Sequence, residues 1–192
     1  MNYHSITDEE LLEATRNKDD AAFAELMHRY VKAILYFSLK YTGDKAVAED
    51  ITQETFFKAW KHLKRFKTGN SFRPWLYKIA RNTALDHLKK RRAVVFSELD
   101  DVENDQQFAE TIQDTGPSPA DIFEMAGSAV ELESALDNLH PDHRTMILMH
   151  YKSELTFEEI SIVMGKPINT VKSWYRRSLI KLKELLRTKN VR

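Results

Sequence analysis

Apolar positions recur three and four residues apart along most of the 192-residue chain, and alternating apolar–polar runs are nearly absent, a pattern that predicts helices and no sheet. Thr7 with Glu10 gives a capping-box signal ahead of "LLEAT", and Asp19 or Asp20 is placed to cap a longer helix through "AAFAELMHRYVKAILYFSLKY" that "TGD" ends. A third helix is predicted from about Ala46 to Leu63. After the loop "KRFKTGNSF", Pro74 at a first-turn position opens a fourth helix from about Trp75 to Arg92. These elements predict one compact N-terminal bundle, residues 1–95. The period then lapses over 96–129, which is acidic and holds two of the five prolines, so a flexible linker is expected, with room for a short helix after Pro119. Helical periodicity resumes at about 130–138, 142–151, 157–164 and 168–188, a C-terminal unit spanning 130–192. The predicted fold class is all-α, two small helical domains joined by an acidic linker, with no convincing internal repeat.

Composition fits that picture. Forty-two per cent of residues are hydrophobic and thirty per cent charged, as suits small soluble domains. The absence of cysteine excludes disulfides, thiol catalysis and Cys-ligated zinc, and agrees with a reducing compartment. The start "MNYHSITDEELL" lacks the order of a signal peptide, and no apolar run approaches the roughly 18 residues that span a bilayer, so a cytoplasmic protein without membrane insertion is expected.

Charge changes the picture more. The formal net charge of +0 hides a sorted distribution: Lys58 to Arg92 carries twelve basic residues against Asp86 alone, and Lys166 to Arg192 carries nine against Glu184. Between them, Val94 to Asp137 carries twelve acids and no Lys or Arg. Two basic blocks suit polyanions, while an acidic block repels them or shields the basic ones.

Winding the third helix at 100° per residue puts Ala48, Thr52, Phe56, Ala59 and Leu63 on a core stripe and Asp50, Gln53, Glu54 and Phe57 opposite. Either the first helix covers Phe57, or an exposed ring among polar groups marks a protein-docking patch. On the fourth helix Leu76, Ala80, Ala84 and Leu88 face the core, and Trp75, Lys78, Asn82, Asp86 and Lys89 line the other side. Upstream, "RFKTGNSF" interleaves Phe66 and Phe72 with Lys67 and Asn70. Such a surface stacks unpaired bases while cations hold phosphates; the alternative is a solvated basic face over buried rings.

In "LTFEEISIVMGKPINTVKSWYRRSL" a helix capped by Thr156 with Glu159, a turn at Gly165 and a second helix capped by Asn169 or Thr170 have the spacing of a helix-turn-helix. Val171, Tyr175, Leu179, Leu182 and Leu186 form the apolar stripe of the second helix. Lys172, Ser173, Arg176 and Arg177 lie opposite, suited to phosphates and guanine edges in a major groove. Trp174 falls at the edge of the stripe, open to burial or to DNA.

No catalytic constellation emerges. His143 and His150 share a helix face, but seven residues separate them by about 10 Å along the axis, too far to share one ion, and His140 adds no metal-site spacing. Without a phosphate-cradling glycine loop or a nucleophile with a placed base, the expectation is no enzyme, no cofactor and no metal.

Three segments together, "AEDITQETFFKAW", "FRPWLYKIARNTALDHLKKRR" and "LTFEEISIVMGKPINTVKSWYRRSLIKLKELL", resemble the signature segments of the extracytoplasmic-function (ECF) group of bacterial RNA polymerase sigma factors, in the right order. The resemblance covers nearly all of the chain except the linker. It implies region 2 at 1–95, which binds core RNA polymerase and recognises and melts the minus-ten promoter element, and region 4 at 130–192, which reads the minus-thirty-five element as duplex. It places the polymerase-binding Asp-x-x-Gln-Glu on Asp50, Gln53 and Glu54, beside Phe57. The minus-ten surface falls on the loop around Asn70 and on Trp75, Arg81, Asn82, Asp86 and Lys89, to which composition adds Lys67 and Lys78. The minus-thirty-five helix falls on Thr170, Lys172, Ser173, Arg176 and Arg177. The partners implied are core polymerase, promoter DNA as duplex and as melted single strand, and an anti-sigma factor. Two positions depart from the family, Asn169 where Gly is common and Trp174 where Arg is common. The acidic linker resembles the connector that threads near the polymerase active site. A stand-alone helix-turn-helix regulator is the alternative; it would bind a specific duplex unaided and leave Asp50, Gln53, Glu54 and Phe57 without a role.

Overall fold

A computed structural model describes residues 3–67, 69–95 and 117–189, and among them the long elements are all α-helices. In chain order these are α1 (Asp8–Arg16), α2 (Asp20–Thr42), α3 (Lys45–His62), α4 (Phe72–Val95), α5 (Pro119–Ala126), α6 (Ala129–Asp137), α7 (Pro141–Tyr151), α8 (Phe157–Met164) and α9 (Ile168–Lys189). Most of the acidic stretch expected as linker, 96–116, lies outside the described residues.

Local chemistry accounts for the helix ends. Thr7 and Glu10 close a capping box on α1, and the Asp19 carboxylate accepts from the Ala21 and Ala22 amides at the start of α2. Gly43 ends α2 in the left-handed region at φ 71°, where a side chain would be strained. Helix α4 begins at Phe72, so Pro74 sits within its first turn, where a missing N–H costs nothing. Helix α5 lies inside the stretch expected as linker. It is capped by Ser118 with Asp121 and buries Ile122 and Ala126, packing on α6 and α9, which ties it to the C-terminal helices.

Two cores result. In the N-terminal one, Leu11, Leu26, Ile34, Ile51 and Leu76 are fully buried, each contributing about 1.5–3 kcal/mol. The Phe37 and Tyr77 rings meet edge to face at 5.3 Å and join α2 to α4. In the C-terminal one, Met146, Met149, Leu155, Ile160 and Leu182 fill the space among α7, α8 and α9.

The two bundles also pack on each other, α4 against α8 and α2 against α7. At the centre lies the Asp142 carboxylate, which accepts from the Tyr41 hydroxyl at 2.7 Å and from Arg81 Nη2 through both oxygens at 3.0 Å. The Tyr77 hydroxyl donates to Ser153 Oγ at 2.8 Å, Lys40 pairs with Glu133, and the Lys152 ammonium lies 4.4 Å from the Tyr36 ring centre. Arg81, expected in the minus-ten surface, is thus engaged by Asp142 in this structure. One residue before Asn82 on a helix means 100° around it, which turns Arg81 off the outer stripe and towards the C-terminal bundle.

Burial pushes the Asp142 carboxyl up, but the Arg81 guanidinium and the Tyr41 hydroxyl outweigh it and hold the group below the usual aspartate range. A lowered folded-state value means the pairing stabilises above the ordinary aspartate range, near pH 4, and is lost as pH falls through Asp142's own lower value. Arg81→Ala leaves a half-buried carboxylate with only the Tyr41 hydroxyl as partner, so the expected loss at pH 7 is about 2 kcal/mol. Urea titration checks this, and the gap between variant and wild type narrows as the pH is taken down towards 3.

Candidate nucleic-acid interface

The outer face of α3 carries an exposed aromatic pair. Phe57 is 62% exposed and Trp60 55%, so α1 does not cover Phe57, and the docking-patch reading of that ring is the one the geometry supports. Asp50 and Gln53 are exposed on the same side. Trp60 was missed in the sequence although it follows Phe57 by three, the spacing of neighbours on one helix face. Glu54 stands at the flank of this patch rather than its centre. Its two oxygens meet Lys58 Nζ and His87 Nε2, each at 2.8 Å, and those bonds hold its carboxyl below the usual glutamate range.

On α4 the expected stripe is present: Lys78, Asn82, Asp86 and Lys89 are exposed in one row, with Trp75 half-buried at its head. Lys67 and Asn70 are exposed in the loop before it, where the Asn70 amide donates to the Lys67 carbonyl at 3.3 Å. The rings of that loop behave otherwise. Phe72 is 1% exposed and Phe66 7%, so they are core residues rather than platforms for bases. Trp75 leans on both, at 4.7 Å from Phe66 and 5.6 Å from Phe72, which fixes it as the ring of the cluster that keeps a face towards solvent. Alternation of aromatic and basic residues in sequence cannot separate these cases, because a 3₁₀ turn at Leu63–Arg65 folds Phe66 back under α4.

The helix-turn-helix forms as the caps suggest. Thr156 and Glu159 close a capping box on α8, and Gly165 turns the chain in the left-handed region at φ 63°. Helix α9 begins one or two residues before the expected caps, since the Val171 amide already donates to the Pro167 carbonyl at 3.1 Å, so Asn169 and Thr170 lie in its first turn. Lys172 is exposed, and Thr170, Ser173, Arg176 and Arg177 are half-buried. Trp174 is buried, 8% exposed, with its ring 5.2 Å from His143 and Lys166 over its face, so it packs the domain. His150 stacks on Phe157 at 4.5 Å and its Nδ1 donates to the Leu155 carbonyl. Among the described residues no three His, Asp or Glu side chains are grouped to hold a metal ion, and no helix is long and apolar enough to cross a membrane.

Two basic faces, an exposed aromatic pair and a helix-turn-helix thus sit on one chain. Residues 26–94 match the family model for Sigma-70 region 2, and residues 129–182 that for Sigma-70, region 4. The RNA polymerase sigma-H factor of Pseudomonas aeruginosa is 32% identical over 170 residues, 86% of each chain. The chain belongs to the ECF group of RNA polymerase sigma factors. Sigma factor CarQ of Myxococcus xanthus is 30% identical and covers 91% of this chain with 95% of its own. ECF sigma factor SigW of Bacillus subtilis is 27% identical over 178 residues, covering 92% of this chain with 95% of its own. Among solved structures, sigma factor RpoE of Bartonella quintana superposes with a TM-score of 0.64 at 25% identity, covering 86% of this chain and 96% of that one. CnrH shares the fold, with a TM-score of 0.68 at 22% identity over 94% of this chain and 97% of that one. As a sigma factor the protein directs promoter-specific initiation of transcription by RNA polymerase, and its helix-turn-helix binds DNA.

Trp174→Ala should therefore act through folding. Removing a buried indole is expected to cost about 3–5 kcal/mol, measured by thermal or urea unfolding. Trp174→Phe, which keeps most of the packing, is expected to retain duplex binding; loss of binding with folding intact would return the indole to the DNA surface.

Proposed function

We propose that this sigma factor docks on core RNA polymerase through Asp50, Gln53, Phe57 and Trp60. The observation that carries the assignment is the aromatic pair left in water on an otherwise well-buried bundle, ringed by an acid and an amide. The α4 row of Lys78, Asn82, Asp86 and Lys89, with Trp75 at its head and Lys67 and Asn70 in the loop before it, engages the minus-ten element and its melted strand. One half-exposed indole is available to stack on an unpaired base, and the lysines hold phosphates. Thr170, Lys172, Ser173, Arg176 and Arg177 on α9 read the minus-thirty-five element in the major groove. Arg81 has no part in the DNA surface while it is paired to Asp142.

The protein catalyses no reaction of its own and works in the cytoplasm, where polymerase and promoter are. An anti-sigma factor holds it inactive. The support for that partner is the Bartonella quintana RpoE structure, which is a complex with the anti-sigma factor NepR.

The test is transcription from fragmented genomic DNA of the source organism by core polymerase, with and without the chain, mapping RNA 5′ ends. A set of start sites that depends on the chain is expected, sharing two motifs upstream. Gln53→Ala and Phe57→Ser should each weaken core binding by roughly tenfold without lowering the melting temperature, as for well-placed interface residues. Lys172→Ala should weaken promoter binding at all sites and reduce the slope of its salt dependence by about one. Normal core affinity in both α3 variants would remove that face from the assignment.

A further inference from the structure

Arg81 is held as an arginine holds a phosphate. Its Nε donates to Asp142 Oδ1 at 3.2 Å and its Nη2 to both Asp142 oxygens at 3.0 Å, the side-on fork that a guanidinium offers to an oxyanion. The Tyr41 hydroxyl donates to the same Oδ1 at 2.7 Å, and the Arg81 and Asp142 side chains are 13% and 18% exposed. The two donors belong to the N-terminal bundle and the carboxylate to α7, so the contact closes one bundle on the other. Lys78, three residues before Arg81 and its neighbour on the helix surface, faces solvent in the outer row of α4. An Arg81 released from Asp142 widens that cationic row.

The closed arrangement is too short for the promoter. Elements at minus ten and minus thirty-five lie about 25 base pairs apart, which is about 85 Å of duplex at about 3.4 Å per pair. A packed chain of 192 residues has a radius of gyration of about 16 Å and is about 40 Å across. For each bundle to reach its own element the two must part, and Arg81 then leaves Asp142.

We propose that Asp142 occupies the place of a promoter phosphate on Arg81. In the free chain it keeps the minus-ten surface of α4 incomplete; when the bundles part on core polymerase, Arg81 passes to the backbone of the melted minus-ten strand. One charged acceptor is exchanged for another, so α4 need not refold. This rests on the assignment of the minus-ten surface above.

The chain has no cysteine, so Lys61→Cys on α3 and Lys181→Cys on α9, both at exposed positions, can carry a dye pair that reports the distance between bundles. Into this labelled chain Asp142→Asn and Arg81→Ala are introduced separately. Energy transfer in single molecules and affinity for a single-stranded minus-ten oligonucleotide are read, free and on core. The unsubstituted free chain is expected in a compact, high-transfer state, with the closed-to-open ratio lowered roughly tenfold in both variants, the factor of one charge-assisted pair. On core all three should show low transfer. Free Asp142→Asn should bind the oligonucleotide roughly tenfold more tightly than the unsubstituted chain, in proportion to its open fraction, whereas Arg81→Ala, equally open, gains nothing. On core, Asp142→Asn should match the unsubstituted chain and Arg81→Ala should bind more weakly. Unchanged transfer in both variants would overturn the proposal, as would high transfer retained on core or equal oligonucleotide binding by Asp142→Asn and Arg81→Ala. A chain that ignores core would overturn the surface assignments and the proposal with them, a failure distinguishable because transfer in the free chain is read without polymerase.

Discussion

Helix α4 must satisfy three neighbours and still keep one side free, and most of the molecule follows from that constraint. Leu76, Tyr77, Ala80 and Ala84 are buried, which commits the inner half of the circumference to packing. Small residues at positions 80 and 84 let α2 and α3 approach closely, while Tyr77 is long enough to reach both Phe37 in one bundle and Ser153 in the other. What remains is a single row, and the sequence places only polar and charged side chains there beyond Trp75. A cation on that row faces solvent; a cation 100° away meets a carboxylate, as Arg81 does.

The sorting of charge along the chain serves the same economy of surfaces. The basic residues of α4 and its preceding loop, and those of α9, sit on separate bundles, and each bundle exposes a cationic helix face. The bundles are joined by a few polar contacts, partly buried at Tyr41, Tyr77, Arg81 and Asp142 and exposed at Lys40–Glu133, as well as by apolar packing. Polar junctions of this kind hold one geometry well and lose little by exchanging it for another polar surface, which suits a protein whose two DNA-binding bundles must span two separate promoter elements.

Much of this was legible in the sequence because it is written in local rules. Thr7 with Glu10, Thr156 with Glu159, Gly43 and Gly165 each act within a few residues of themselves, and each stands where its spacing suggested. The stripe Lys78, Asn82, Asp86, Lys89 follows from helical period alone. What was not legible depended on a second element. Arg81 looks like one more cation in a basic block until Asp142, sixty-one residues away, is folded onto it. Phe66 and Phe72 look like Trp75 until the loop turns them inward. Trp174 stood at the edge of a stripe and was decided by His143 of α7. Trp60 is the exception: its place beside Phe57 follows from the helix period alone.

Assembly of the purified chain with core RNA polymerase, followed by native mass spectrometry, tests the central claim most directly. The account predicts one chain per core enzyme, in a complex that then retains promoter duplex which the free chain does not hold. A folded chain, free of inhibitor, that ignores core polymerase and binds a specific duplex unaided would contradict it.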